Sequence, residues 1–123
     1  MAPSIRNHGF TLIEIMIVVA IIGIVIAIAT STWIRQREMA RARACQENLT
    51  KIEGAKEQYA MDVSLGNGEA IAGEWSALVG PTRYLKNQPV CPADGNYNLG
   101  VIGATPTCDY AAPSWLRLEH TIP

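Results

Sequence analysis

Histidine is scarce in this 123-residue chain, which holds only His8 and His120. No serine or cysteine nucleophile sits in a catalytic motif with either of them. There is no glycine-rich phosphate loop and no paired-carboxylate site for acid–base work. No residue is therefore assigned a catalytic role, and the sequence does not read as an enzyme. Charge is thin as well: 17% of residues are charged and the formal net charge is −1. That leaves no global basic excess and argues against nucleic acid as a partner. The three cysteines, Cys45, Cys91 and Cys108, show no C-x₂₋₄-C spacing and have no histidine nearby in sequence. On spacing alone no metal site and no cofactor is expected. Asp94 and Asp109 offer only a weak calcium signal, against which the reading as solvated turn aspartates prevails.

The longest absence is of charge along the N-terminal third. Between Glu14 and Arg35 there is none, so residues 15–34 form a run of 20 uncharged positions, mostly Ile, Val or Ala. About 20 residues at 1.5 Å each cross a bilayer as a helix. One carboxylate, Glu14, sits near the start of this run. An ionised group costs about 2.5–3.5 kcal/mol at mid-membrane and less near the headgroups. Two plainer readings compete for the segment. One is an uncleaved anchor. The other is a secretory signal cut after Ala27-Ile28-Ala29, but its apolar core would be only about 7–15 residues and would lack Glu14.

The string over residues 9–23, G-F-T-L-I-E-I-M-I-V-V-A-I-I-G, resembles the N-terminal signal of type IV pilins and type II secretion pseudopilins. The match is specific over residues 9–29, looser along the helix that follows, and weakest in the C-terminal half. The resemblance implies a leader over residues 1–9, cleavage between Gly9 and Phe10 by a prepilin peptidase, and methylation of the new Phe10 amine. Glu14 takes the place of the family's glutamate, five residues into the mature chain. The further partners implied are the lipid bilayer before assembly, a membrane assembly platform and a homo-oligomeric helical filament. The implied location is the bacterial inner membrane as a single-pass precursor with its domain outside the cytoplasm, then a periplasmic or extracellular filament.

Elementary electrostatics gives Glu14 a task of its own. It lies in the first helical turns, where the helix dipole favours negative charge. A neighbouring subunit's Phe10 amine can pair with it, and losing one partner of a buried pair is strongly unfavourable. The pair would then set register between subunits. Charge counting opposes the implied orientation. Arg35, Arg37, Arg41 and Arg43 follow the span and only Arg6 and the start amine precede it, so the positive-inside rule alone would put the arginines in the cytoplasm. The motif is the more specific signal and is followed here. Those arginines read as a solvated helix face interrupted by Glu38; a DNA-touching stripe is the lesser alternative.

Domain boundaries follow from pattern: a leader over 1–9, a membrane-spanning or filament-core helix over 10–34, an amphipathic continuation over 35–66, and a small loop and β domain over 67–123. Gly23 and the Thr30-Ser31-Thr32 triplet are weak points inside the helix, and no proline kinks it. Trp33 marks the outer interface or packs between subunits. Cys45, Leu49, Ile52, Ala55, Tyr59 and Val63 recur at three- and four-residue steps as one helix face. Arg35 to Glu57 supply the polar surface, with Lys56 counted among it and Glu47–Lys51 as a favourable i,i+4 pair. Gly66 reads as the helix stop.

Beyond the glycines, Trp75 and Leu78 face inward from a short turn. Asp94-Gly95 is a turn signal. Residues 97–99 and 101–102 are strand candidates in a small antiparallel sheet that needs the helix as its cover. Trp115 and Leu116 would anchor the tail. Asn48-Leu49-Thr50 matches a glycosylation sequon but lies mid-helix and is discounted. The fold class is α+β and pilin-like, with the second half of one long helix packed on that sheet.

Both Cys91 and Cys108 flank the strand region in turn-rich sequence, so a Cys91–Cys108 disulfide is expected. It would contribute about 3 kcal/mol by closing its loop, and it implies an oxidising compartment. Cys45, on the helix's apolar face, reads as buried and unpaired; its bonding to Cys91 or Cys108 is the alternative. The function expected is that of a structural filament subunit. The alternatives are a type II secretion or competence pseudopilin and, from another class, a monomeric binding domain that is membrane-anchored or secreted.

Overall fold

The computed structural model describes residues 9–114, 120 and 122. The leader and the tail anchors Trp115 and Leu116 lie outside the described residues. The chain divides into two compact units, Met1–Arg35 and Gln36–Pro123.

Helix α1, Leu12–Val63, carries 52 residues without a break. Thr11 caps it: the Glu14 N–H donates to Thr11 Oγ1 at 3.3 Å, which satisfies one of the first-turn donors. Neither Gly23 nor the hydroxyl triplet interrupts the helix. Thr30 Oγ1 donates to the Ile26 carbonyl at 2.8 Å, and Ser31 Oγ to Ile28 at 3.3 Å. Hydroxyls bonded back to the helix expose no bare polar group, which is what an apolar surround requires. In the first unit the apolar side chains from Leu12 to Ile34 are exposed all round the helix.

In the second unit the helix is one-sided. Cys45, Leu49, Ile52, Ala55 and Tyr59 are buried as their spacing predicts, and Ala42, Lys56 and Ala60 join them. Val63 is a correction: it is the last helical residue and lies exposed. The helix also ends before Gly66. Ser64 adopts a left-handed φ of 57°, and the Leu65 N–H returns to the Ala60 carbonyl at 2.9 Å. That six-to-one bond is a Schellman stop, with serine in the place glycine usually fills.

Lys56 is the larger correction. Counted above with the polar surface, it is 2% exposed. Its ammonium donates to the Leu99 and Ala104 carbonyls. It stands four residues after Ile52, on the apolar stripe itself, so its stem packs in the core while its head ties down a loop.

The core sets Cys45, Leu49, Ile52 and Tyr59 of α1 against Ile71, Leu78, Leu99 and Ile102. Helix α2, Trp75–Leu78, is a single turn with Leu78 fully buried and Trp75 packed on the core, as read from sequence. Strand β1, Tyr97–Asn98, pairs antiparallel with β2, Thr107–Cys108. The second strand is not at 101–102. There Ile102 is buried while its N–H and carbonyl bond Glu69 and Gly68, so the segment docks on the post-helix loop and cannot pair with β1.

Candidate functional site

Two clusters of chemistry-bearing residues stand out, one in each unit. The first is the start of α1. Gly9, Phe10 and Thr11 precede the helix, and Phe10 is 79% exposed. The Gly9–Phe10 bond therefore lies in non-helical, accessible backbone, the form a peptidase can engage. Sequence reasoning assigned Glu14 its position but missed the cap. Thr11-Leu12-Ile13-Glu14 has the S/T-x-x-E spacing of a capping box, and that was the available signal. Glu14 is exposed near the start of a helix that is long and apolar enough to cross a membrane, with its most apolar stretch wholly unburied.

The second cluster gathers all three cysteines. Cys45 comes from α1, Cys91 from the loop before β1, Cys108 from β2 and His120 from the tail. Their ligand-type atoms all lie within 4.8 Å of one another. The three cysteines are free thiols. Cys108 Sγ donates to Cys91 Sγ at 3.7 Å, so the pair expected to be joined is adjacent. His120 stands 4.6 Å, centroid to centroid, from the Tyr110 ring. It is 3% exposed, and neither of its ring nitrogens has a partner among the described residues.

The thiols differ in their surroundings. Burial is the main influence on Cys45, together with the neighbouring thiols, and its pKa is pushed up to about 12. Burial also works upward on Cys91, but backbone N–H groups of Ala93 and Gly95 donate to it and hold it, on balance, below the usual thiol value. Cys108 is raised by burial despite a donor from the Tyr110 backbone. Gly95 is required at this approach, since a Cβ there would stand 2.7 Å from Cys108 Sγ and 2.8 Å from Tyr110 Cβ.

Other candidates take structural roles. Asp109 accepts from the Asn96 N–H and from Asn96 Nδ2, which holds its pKa below the usual carboxylate value. Asn48 spends its amide on the Val90 carbonyl and the Tyr97 hydroxyl, both at 3.1 Å, consistent with setting the sequon aside. The Glu47–Lys51 pair forms at 2.8 Å.

Comparison with known proteins bears on the first cluster. Residues 5–30 match the family described as the prokaryotic N-terminal methylation motif. The chain is 44% identical over 54 residues to the type IV major pilin protein PilA of Myxococcus xanthus, covering 44% of this chain and 24% of that protein. It is 34% identical over 59 residues to type II secretion system core protein G of Klebsiella pneumoniae, covering 48% of this chain and 42% of the relative. The corresponding protein of Pectobacterium carotovorum is 30% identical over 57 residues, 46% of this chain and 36% of the relative. The alignments thus span less than half the length of each of these relatives. No solved structure matches significantly. The resemblance to pilins and pseudopilins read from the N-terminal string is borne out.

Proposed function

We propose that this chain is a structural subunit of a type IV pilus-like filament and performs no reaction itself. It would be made as a precursor held in the inner membrane by α1, cut after Gly9 by a prepilin peptidase and methylated on Phe10. The observation that carries this reading is the exposed Gly9–Phe10 bond set directly before a capped, all-round apolar helix whose only early charge is Glu14. Such a helix has two suitable surroundings, lipid and other copies of itself.

Moving between them exchanges one apolar environment for another. Hydrophobicity alone cannot drive extraction, so packing, the Phe10–Glu14 pair and an external motor must. Register follows from that pair: once neighbours bury it, a subunit lacking Glu14 leaves an amine uncompensated. Sheared-fibre sedimentation tests this. Wild-type chain pellets as fibres and Glu14→Ala does not; normal fibres from Glu14→Ala would sink the assignment of Glu14.

A secretion pseudopilin is the second reading, favoured by the similarity to two proteins named type II secretion system core protein G. Loss of secretion with no surface fibre on deletion would select it.

A further inference from the structure

We propose that Cys45, Cys91, Cys108 and His120 form a structural Zn²⁺ site that staples the outer domain to α1 of the same unit. The proposal rests on geometry that sequence spacing conceals. Three sulfurs and one imidazole nitrogen converge from four separate segments to within 4.8 Å. Three thiolates and one histidine are an established tetrahedral donor set for structural zinc. Zinc–sulfur bonds of about 2.3 Å set sulfurs about 3.8 Å apart at the corners of a tetrahedron. The Cys91 and Cys108 sulfurs stand at 3.7 Å.

A second, independent observation points to a ligand. His120 is 3% exposed, yet both of its ring nitrogens lack a partner among the described residues. Buried imidazole nitrogens left bare are costly, and a metal at the cysteines would relieve one of them.

Coordination requires that each of the three thiols release a proton to solvent while neutral His120 supplies a lone pair. Nothing is oxidised, and the site carries one net negative charge. All four ligands come from the protein, so no position is left open for catalysis. A domain this small gains from such a staple, because metal binding is coupled to its folding. The inference is independent of the filament reading, since every ligand lies in the second unit.

The competing state of the same atoms is the Cys91–Cys108 disulfide, which would remove two ligands. The experiment uses the full chain in detergent, purified without reductant, then reduced and offered Zn²⁺ or Co²⁺ alone. The expected result is one zinc retained per chain after gel filtration, with all three thiols protected from alkylation. Cobalt should give the visible bands of a tetrahedral thiolate site. His120→Ala should weaken binding at least tenfold, given that even residues behind the ligands cost 10–100-fold. The cobalt spectrum of the wild type tests the site without any variant, so misfolding of one does not protect the idea. Reduced chain that retains no zinc, metal-free chain purified with Cys91–Cys108 already bonded, or His120→Ala binding as tightly as wild type would each overturn the proposal.

Discussion

Lys56 shows how one residue can hold two segments. Its ammonium serves the Leu99 and Ala104 carbonyls from inside the core. Lys56→Met keeps the stem's packing but leaves those carbonyls without a donor. Hydrogen bonds to charged groups contribute about 1.5–3 kcal/mol, so a loss of about 2 kcal/mol is expected from denaturant unfolding of the full chain in detergent. The pH dependence has a definite sign. Burial lowers the Lys56 pKa from 10.5, the flanking Glu53 and Glu57 opposing it. Between the folded value and 10.5 the unfolded chain binds more protons, so stability rises with pH there. The wild type's margin over Lys56→Met should widen as pH climbs toward 10.5 and then level off. A margin that narrows would contradict the buried-ammonium account. At the other end of α1, Thr11→Val should cost about 1 kcal/mol of helix stability by removing the cap, seen as faster amide exchange in the first turn.

At the scale of the element, α1 was the most legible part of the sequence. Cys45, Leu49, Ile52, Ala55 and Tyr59 announce the buried face by spacing alone. Lys56 continues the same spacing but was set aside for its charge, although a long stem can lie in a core when its head finds acceptors. The helix end was misplaced for a similar reason. Gly66 is the better stop by residue type, whereas the chain turns at Ser64 and the next residue, Leu65, packs on the core. Ser64→Gly should therefore stabilise the fold by about 0.5 kcal/mol, relief of the left-handed strain exceeding glycine's added unfolded-state entropy. A lower denaturation midpoint would contradict this. Strands of two residues leave almost no periodic trace, so β2 at Thr107–Cys108 was hidden behind the more apolar Val101-Ile102.

For the whole molecule, sequence and structure agree on two kinds of surface within one continuous helix. Among the described residues, the first unit exposes a mostly apolar surface with Glu14 near its start, and the second folds around its own core. Membrane-length apolar runs need no partner to be read, so this division was visible from the sequence. The cysteine–histidine cluster was not, because its members are brought together only when loop, strand and tail close on α1. The central claim is that the exposed Gly9–Phe10 bond is a processing site and that the chain works from Phe10 onward. The most direct test is the intact mass of the mature protein with sequencing of its N-terminal peptide. A chain beginning at methylated Phe10 is the predicted result. A chain beginning at Met1 or at Thr30 would contradict it, and the role given to Glu14 would fall with it.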